Sequence, residues 1–382
     1  MAKVAATHVE ELHLSRAVRT ENDIGTNESP KSLENTISDG DDETQNAGKV
    51  IYDYLTERVE EFRKLCEVRQ RGWNNKSGDE YFRKQRNESD KLDSKQNRYY
   101  FKMMQEIGKQ LHRSTNAFKL PESGNSTKLI LDLCMAPGAF LDTAMKANPG
   151  SRALGFSLPA SDGGYHVRIP NNPNMTLKLI DITMLAADMG ITEISAGHPD
   201  ASEFLQQEFS RDDLFDLVLC DGQVLRTHLR SPYRESREAT RLMVVQLALG
   251  LEHINPGGTM VALLHRVESV KTASLLHTFS KFSSVELFKP APGHAKRSSF
   301  YMVATEIQAS HPEAIAAIRA WKRTWEVATF GDDDEYQTVL RRDSKAVEDM
   351  LQDFGPSLIK LGKKVWDVQA KALAKAPFMQ HQ

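Results

Sequence analysis

The stretch that decides the fold is LILDLCMAPGAF, residues 129–140. It joins an apolar run typical of a buried strand to an aspartate and a turn of small residues that leads into a helix. Such a turn lets backbone N–H groups and a helix N-terminus approach a ligand. A dinucleotide site needs the three glycines of G-x-G-x-x-G, whereas here Gly138 stands alone, and no G-x-x-x-x-G-K-[ST] phosphate loop occurs. The stretch therefore predicts a cofactor loop of another kind.

Short apolar runs alternate with helix-length segments from Lys128 onward. This alternation predicts an α/β fold with a doubly wound, mostly parallel sheet covered on both faces. The last two runs are separated by a short Pro/Gly/Lys loop with no room for a crossover helix, so we expect them to pair antiparallel. The runs are 129–133, 153–158, 177–180, 215–220, 258–264, 284–288 and 299–305.

The segments on either side of the predicted sheet differ from it in composition. Residues 1–47 are polar and acidic without sustained periodicity, which predicts a disordered tail. Residues 48–96 predict a helical N-terminal extension, and residues 307–382 a helical C-terminal extension. Between them, residues 97–306 form the predicted α/β domain.

Two details of the flanking segments can be checked against a structure. Apolar residues recur at helical spacing after Lys49, so we expect one buried face made of Ile51, Leu55, Val59, Phe62 and Leu65. In the C-terminal extension, Pro312 marks a helix start, and the long periodic pattern of 344–375 is expected to break at Gly355-Pro356.

Composition places the chain among ordinary globular proteins. Its 382 residues are 40% apolar and 26% charged, with a net charge of −3. No apolar run approaches the roughly 20 residues that cross a bilayer, and the start resembles neither a signal nor a transit peptide. The three cysteines, Cys66, Cys134 and Cys220, show no metal-ligand spacing, so no structural metal is expected. We expect an intracellular protein, cytoplasmic or nuclear, without a membrane association.

The near-neutral net charge hides two basic segments. Residues 55–118 carry 15 basic against 10 acidic side chains, and residues 222–300 carry 11 against 5. If the fold joins these segments, they form a patch that attracts a polyanion such as RNA. The alternative for each segment alone is a solvated helix face.

Three motifs in the order expected of one family resemble the FtsJ/RrmJ S-adenosylmethionine-dependent ribose 2′-O-methyltransferases. They are NRYYFKMMQEI (97–107), DLCMAPGAF (132–140) and FDLVLCDGQ (215–223). The resemblance covers residues 97–306 and implies a Rossmann-like fold with a seven-stranded sheet that ends in an antiparallel strand. It also implies S-adenosyl-L-methionine as cofactor and RNA as partner.

The resemblance implies roles for particular residues. Asp181 would accept a hydrogen bond from the adenine amino group, Asp221 would be the catalytic aspartate, and Lys102 the first catalytic lysine. The turn residues would surround the methionine end of the cofactor: Pro137, Gly138, Ala139 and Phe140. Asp132 directly precedes the turn and is counted among the cofactor contacts; the alternative is that it only orders the loop through backbone hydrogen bonds. Tyr99, Tyr100 and Phe101 favour core packing over base stacking.

The chain departs from the family at four positions. Leu263 stands where the family has its second lysine, and Ser299 where it has a glutamate. Ser157 replaces the ribose-binding acid, and Ala139 the second glycine of the loop. Serine can make one hydrogen bond to a ribose hydroxyl but cannot accept two as a carboxylate does.

Other residues near the expected site could replace the lost lysine. We rank His265 first as a substitute base because histidine titrates near neutrality, and Lys296 second. Arg266 would bind substrate, since arginine does not deprotonate. The arginines that follow Asp221 would hold phosphates: Arg226, Arg230, Arg234, Arg237 and Arg241.

The preferred hypothesis is a methyltransferase that modifies a ribose 2′-hydroxyl of RNA. A degenerate module that binds RNA or a protein without catalysis is the first alternative, because two positions of the family's Lys-Asp-Lys-Glu catalytic tetrad are altered, at Leu263 and Ser299. A methyltransferase with a small-molecule or protein acceptor is the second. The sequence does not indicate what the helical extensions bind.

Overall fold

The computed structural model describes residues 39–73, 75, 78, 80, 94–120, 127–170, 172–291 and 293–379. The helices are α1 (Asp39–Arg58), α2 (Glu60–Trp73), α3 (Ser94–Thr115), α4 (Ala139–Ala147), α5 (Glu238–Glu252), α6 (Val270–Ser280), α7 (Pro312–Phe330), α8 (Asp333–Leu340) and α9 (Ser344–Ala374). The strands are β1 (Leu129–Asp132), β2 (Arg152–Ser157), β3 (Met175–Leu179), β4 (Phe215–Cys220), β5 (Ile254–His265), β6 (Ser284–Phe288) and β7 (Ser299–Thr305). Among the described helices, none combines the length and apolar character that crossing a bilayer requires.

The seven strands form one sheet in the order β3-β2-β1-β4-β5-β7-β6. Strands β1 to β5 run parallel to one another, and β7 is antiparallel to both of its neighbours, β5 and β6. The predicted Rossmann-like α/β fold with a terminal hairpin is confirmed. The strand order reverses between β1 and β4, which is the point where doubly wound sheets bind ligands beyond the carboxyl ends of their strands.

Alternating side chains on the strands supply two hydrophobic cores, one on each face of the sheet. On β4, Leu217 and Leu219 face the core that α3 and α4 cover, and Val218 faces the core on the other side. Successive side chains of a strand point to opposite faces of the sheet. Because both faces are buried here, nearly every residue of the strand is apolar.

Two of the expected crossover helices are absent from the described chain. The segments between β2 and β3 and between β3 and β4 contain only short 3₁₀ turns, at Ala160–Asp162 and Ile182–Met184. Helix α7 of the C-terminal extension packs against α5 beside this region. Its buried Trp325 donates from Nε1 to the carbonyl of Thr183 at 3.0 Å. The extension therefore covers sheet surface that a crossover helix would otherwise cover.

The flanking helices pack on the domain and on one another, and two sequence predictions about them need correction. Helix α1 begins at Asp39 and Ala47 is fully buried, so the predicted disordered tail is wrong for 39–47; residues 1–38 lie outside the described part. Helix α9 runs through Gly355-Pro356 without a break. Proline removes one helix hydrogen bond, but the fully buried Leu358 fixes the helix after that point. The predicted apolar face of α1 and α2 is confirmed, with Ile51, Leu55, Val59, Phe62 and Leu65 all buried.

A buried polar cluster ties α2 and α9 to two loops of the sheet. Arg69 forms an ion pair with Glu268 at 2.7 Å, just after β5, and donates to Gln369 at 3.1 Å. Trp366 donates to the other oxygen of Glu268 at 3.1 Å. Gln369 in turn lies 3.5 Å from the carbonyl of Lys296 in the β6–β7 loop. We call this set the Arg69 cluster; it fixes both loops to the flanking helices.

Candidate active site

A cavity opens at the carboxyl ends of the central strands, where the strand order reverses. The residues implied for the cofactor that line it are Pro137, Gly138, Ala139, Phe140, Ser157 and Asp181. Asp221 and His265 line the same cavity. The fold thus gathers residues that are far apart in the sequence into one site, as the parallel arrangement of β1, β2 and β4 requires.

The conformation of the turn after β1 depends on a glycine and on two backbone hydrogen bonds. Gly138 has φ of 99°, a left-handed conformation that side chains disfavour, and a Cβ there would lie 2.5 Å from Ile169. The amide of Met135 donates to the carbonyl of Phe156 at 2.8 Å, and the carbonyl of Pro137 accepts from Arg168 at 3.0 Å. These contacts hold the start of α4 at the cavity wall.

Asp132 lies behind the cavity wall, which corrects its placement among the cofactor contacts. It is 1% exposed, and its Oδ1 accepts a hydrogen bond from the amide of Cys134 at 3.2 Å. It therefore orders the turn from behind, and it influences the cavity through its charge.

Asp132 and Asp221 form a buried pair of carboxyl groups. Asp132 ends β1 and is in register with Leu219 of β4, two residues before Asp221. Burial, and then the charge of Asp221, raises the pKa of Asp132 well above its usual value. Burial raises the pKa of Asp221 to about 6. Within the described chain neither carboxylate forms an ion pair. The negative charge of the pair, next to the cavity, is therefore not balanced by a positively charged side chain among the described residues.

Asp181 lines the cavity, but its oxygens already have partners. One oxygen accepts from the amide and hydroxyl of Thr183 at 2.9 and 2.8 Å. The other lies 3.3 Å from His228 and 3.4 Å from Arg234. Burial opposes ionisation, yet the hydrogen bond and charge of His228 together with Arg234 hold the pKa of Asp181 well below its usual range. A contact with adenine would have to share these oxygens.

Asp181, His228 and Glu238 bring three potential metal-ligand atoms within 4.8 Å of one another. The guanidinium of Arg234 lies 3.4 Å from Asp181 and 3.5 Å from Glu238. Since a permanent cation already contacts both carboxylates, we interpret the group as an ion-pair network.

Three of the predicted phosphate-binding arginines are buried, which contradicts their predicted role. Arg241 is fully buried against Glu238 at 2.8 Å. Arg234 faces Asp181, Asp200 and Glu238, and Arg237 pairs with Asp333 and the carbonyl of Gly331. Arg230 forms two hydrogen bonds to Glu235 at 2.6 Å. Only Arg226 and Arg266 among the predicted substrate-binding arginines are exposed.

The two candidate lysines do not line the cavity. Lys102 is exposed on α3, although Tyr100 and Met104 of the same helix are cavity residues. Lys296 is half-buried in the β6–β7 loop, whereas its neighbour Arg297 lines the cavity. A motif fixes a position on an element, but the direction of the side chain depends on how the element packs.

His265 does line the cavity, and its ring is already hydrogen-bonded. Its Nε2 lies 3.1 Å from Oε1 of Gln223, and its Nδ1 lies 3.5 Å from the hydroxyl of Ser298. Sequence reasoning missed several lining residues, namely Gln223, His228, Glu238, His294 and Arg297. The one available signal for His294 was its place in the same loop, GHAKRSS, that suggested Lys296.

The α/β domain with this cavity is similar in sequence to one known protein family. A family model described as FtsJ-like methyltransferase matches residues 104–307, just over half of the chain. The chain belongs to the FtsJ-like methyltransferase family. This confirms the resemblance of the three motifs, and it makes the protein a methyltransferase of the FtsJ-like type.

Solved structures similar to this FtsJ-like protein include three methyltransferases. A putative ribosomal RNA methyltransferase from Plasmodium falciparum is 16% identical; the alignment covers 52% of this chain and 96% of that chain, with a TM-score of 0.33. Human methyltransferase-like protein 13, in complex with SAH, is 13% identical over 56% and 91%, with a TM-score of 0.32. An rRNA methylase from Streptococcus thermophilus is 12% identical over 52% and 96%, with a TM-score of 0.29.

Membership of the FtsJ-like family implies a cofactor of the S-adenosylmethionine type, and the cavity residues fit it. The carboxyl groups of Asp132 and Asp221 have no cation of their own, so a sulfonium would supply the missing charge. The small-residue turn lets the cofactor approach the backbone. When bound, the cofactor supplies an electrophilic methyl group.

This fit predicts a pH-dependent affinity for S-adenosylmethionine. Because a cation favours ionised Asp221, whose pKa is about 6 in the cofactor-free protein, affinity should rise about tenfold per pH unit up to about pH 6 and then level off. S-adenosylhomocysteine lacks the sulfonium charge and should change less than about threefold over the same range. Calorimetry with both ligands between about pH 5 and 8 measures this, and parallel pH curves for the two ligands would contradict it.

Proposed function

We propose that this FtsJ-like protein transfers the methyl group of S-adenosylmethionine to a ribose 2′-hydroxyl of RNA. The observation that carries the proposal is that Asp221 lines one cavity together with the cofactor turn and three imidazoles: His265, His294 and His228, the last of which contacts two carboxylates. Methyl transfer to a hydroxyl needs this combination, because a cationic donor and a proton acceptor must meet at the same oxygen.

Arginines around this cavity support a polyanionic acceptor. Arg297 lines the cavity, exposed Arg266 directly follows His265, and exposed Arg226 lies five residues after Asp221. Guanidinium groups bind phosphates in two-point geometry, and phosphate contacts provide most of the sequence-independent affinity for RNA. These three residues replace the buried Arg234, Arg237 and Arg241 as the proposed phosphate contacts.

The reaction conserves charge at the site. The acceptor oxygen forms a bond to the methyl carbon while the carbon–sulfur bond breaks, and the bonding pair stays on sulfur to give a neutral thioether. The hydroxyl proton must leave to a base in the cavity. Ionised Asp221 stabilises the positive charge throughout, which is the role expected of a preorganised carboxylate.

The test offers labelled S-adenosylmethionine to the purified protein with total RNA, total protein or a small-molecule extract in parallel reactions. A 2′-O-methyl group blocks alkaline cleavage of the adjacent linkage, so we expect label in alkali-resistant dinucleotides from the RNA reaction. Arg226→Ala and Arg266→Ala should weaken RNA binding and reduce its salt dependence, while Asp212→Asn, at an exposed position away from the cavity, should leave transfer unchanged.

Each other outcome identifies an alternative. Label that appears in the protein or in the small-molecule reaction instead would show that the methyl acceptor is a protein or a small molecule and not RNA. Cofactor binding without transfer in any reaction would favour a non-catalytic binding module, which the altered positions Leu263 and Ser299 make the main competitor.

A further inference from the structure

Three polar side chains of the β6–β7 hairpin are buried without hydrogen-bond partners in the described chain, and two of them line the cavity. They are His294, through both ring nitrogens, Ser299, through its hydroxyl, and Tyr301, through its phenol. A buried polar group without a partner loses its hydrogen bonds to water and gains none in return, so such groups are rare and call for an explanation. Three of them in one hairpin indicate a place built for a polar ligand.

The three side chains share one location near Asp221. His294 and Ser299 line the cavity that Asp221 lines. The rings of His294 and Tyr301 are nearly parallel, at 9°, with centroids 6.5 Å apart. Burial and then the charge of Asp221 raise the pKa of Tyr301, which places the phenol within electrostatic reach of that carboxylate. A hydroxyl bound between these groups would lie beside the proposed position of the methyl donor.

From this arrangement, and resting on the proposed methyltransferase function, we propose that His294 accepts the proton of the acceptor hydroxyl and that Ser299 binds the neighbouring ribose oxygen. The ligand of this subsite is thus the ribose of a nucleotide within an RNA chain, held by its 2′-hydroxyl and a neighbouring ribose oxygen. Ser299 occupies the position of the family's glutamate, and His294 takes over the task of the lysine that Leu263 replaces.

The protonation state of His294 suits this role. Burial, followed by the charges of Arg297, Lys289 and His265, lowers the pKa of His294 well below its usual value. Its ring is therefore neutral at physiological pH and keeps one nitrogen free to accept a proton. A weak base is sufficient, because the oxygen becomes far more acidic as its bond to the methyl carbon forms.

Hydrogen-bond partners distinguish His294 from His265. Both ring nitrogens of His294 are buried without a hydrogen-bond partner in the described chain. His265 differs because both ring nitrogens have side-chain neighbours, at 3.1 Å to Gln223 and 3.5 Å to Ser298. Its hydrogen bonds would have to be exchanged before it could take a proton.

The experiment compares His294→Ala, His294→Gln and His265→Ala in single-turnover methyl transfer to RNA. His294→Ala should lower the rate of transfer about 10²–10⁴-fold, with the affinity for S-adenosylmethionine unchanged within about twofold. Added imidazole should restore part of the rate of His294→Ala, which a purely structural role would not produce. His265→Ala should lose less than about tenfold.

The results separate this inference from the proposed function. An active wild-type protein whose His294→Ala variant keeps at least a third of its rate would overturn the role of His294 alone. The role of His294 is also overturned if His294→Ala is slow and added imidazole never restores its rate of transfer. If the alanine variant fails to fold, His294→Gln is tested in its place. Absence of transfer by the wild-type protein to any acceptor would refute the proposed function itself.

Discussion

Replacing Asp221 with asparagine is expected to lower methyl transfer about 100- to 1000-fold, because the variant loses the preorganised negative charge beside the sulfonium. The affinity for S-adenosylmethionine should fall, whereas the affinity for S-adenosylhomocysteine should change little. Single-turnover rates and calorimetry measure these effects. Transfer at more than a tenth of the wild-type rate would show that Asp221 is not the catalytic carboxylate.

The same substitution should stabilise the protein at alkaline pH. Burial raises the pKa of Asp221 to about 6 in the folded state, so the folded state binds more protons than the unfolded chain between about pH 4 and 6. The stability that protonated Asp221 contributes is complete below about pH 4 and is lost as pH rises through about 6. Asp221→Asn avoids this loss, on the order of 2 kcal/mol. Urea unfolding at about pH 4 and 8 measures the difference, and a variant less stable than wild type at pH 8 would contradict the buried charge.

Replacing Arg234 with methionine is expected to destabilise the fold by about 3–5 kcal/mol, because removing one partner leaves buried charges uncompensated. Its guanidinium contacts Asp181 at 3.4 Å, Asp200 at 3.3 Å and Glu238 at 3.5 Å, all in largely buried positions. Chemical denaturation measures the loss. Arg226→Met is the matched control, since Arg226 is exposed and the free energy of unfolding should change by less than about 0.5 kcal/mol.

A stable Arg234→Met variant would indicate a different role for Arg234. If Arg234→Met is as stable as the wild-type protein but binds RNA poorly, then Arg234 contacts phosphate as its position in the sequence suggested. The structure favours the first outcome because the guanidinium is only 6% exposed.

The arginines after Asp221 show that the local sequence does not reveal which charged side chains are buried in the fold. Their positions were predicted from closeness to the catalytic strand, yet Arg234, Arg237 and Arg241 follow helical spacing and are all buried, in the segment that leads into the first turn of α5. That periodicity was visible, and Glu238 on the same face was a further hint. Asp181 and Asp200, which make burial possible, are distant in sequence and meet the arginines only in the fold.

The sheet was predictable because its information is local. Apolar runs, the small-residue turn and the short β6–β7 loop each specify a nearby backbone geometry, and the family resemblance supplied the order of the pieces. Loops between β2 and β4 were not predictable, since the helix that covers this region comes from the C-terminal extension. Side-chain direction was also beyond reach, so Lys102 and Lys296 were proposed while His294 and Arg297 were missed.

The Arg69 cluster has a consequence for where the functional unit ends. Residues 104–307 match the family, but Arg69, Trp366 and Gln369 lie outside that range. They anchor the loop after β5, which begins beside His265, and the loop that carries His294. A protein trimmed to the matched range would leave the Glu268 carboxylate without its counter-ion and would detach from the flanking helices both the loop after His265 and the loop that carries His294. Substitutions at Arg69 should therefore alter turnover as well as folding, and the functional unit extends beyond the matched range on both sides.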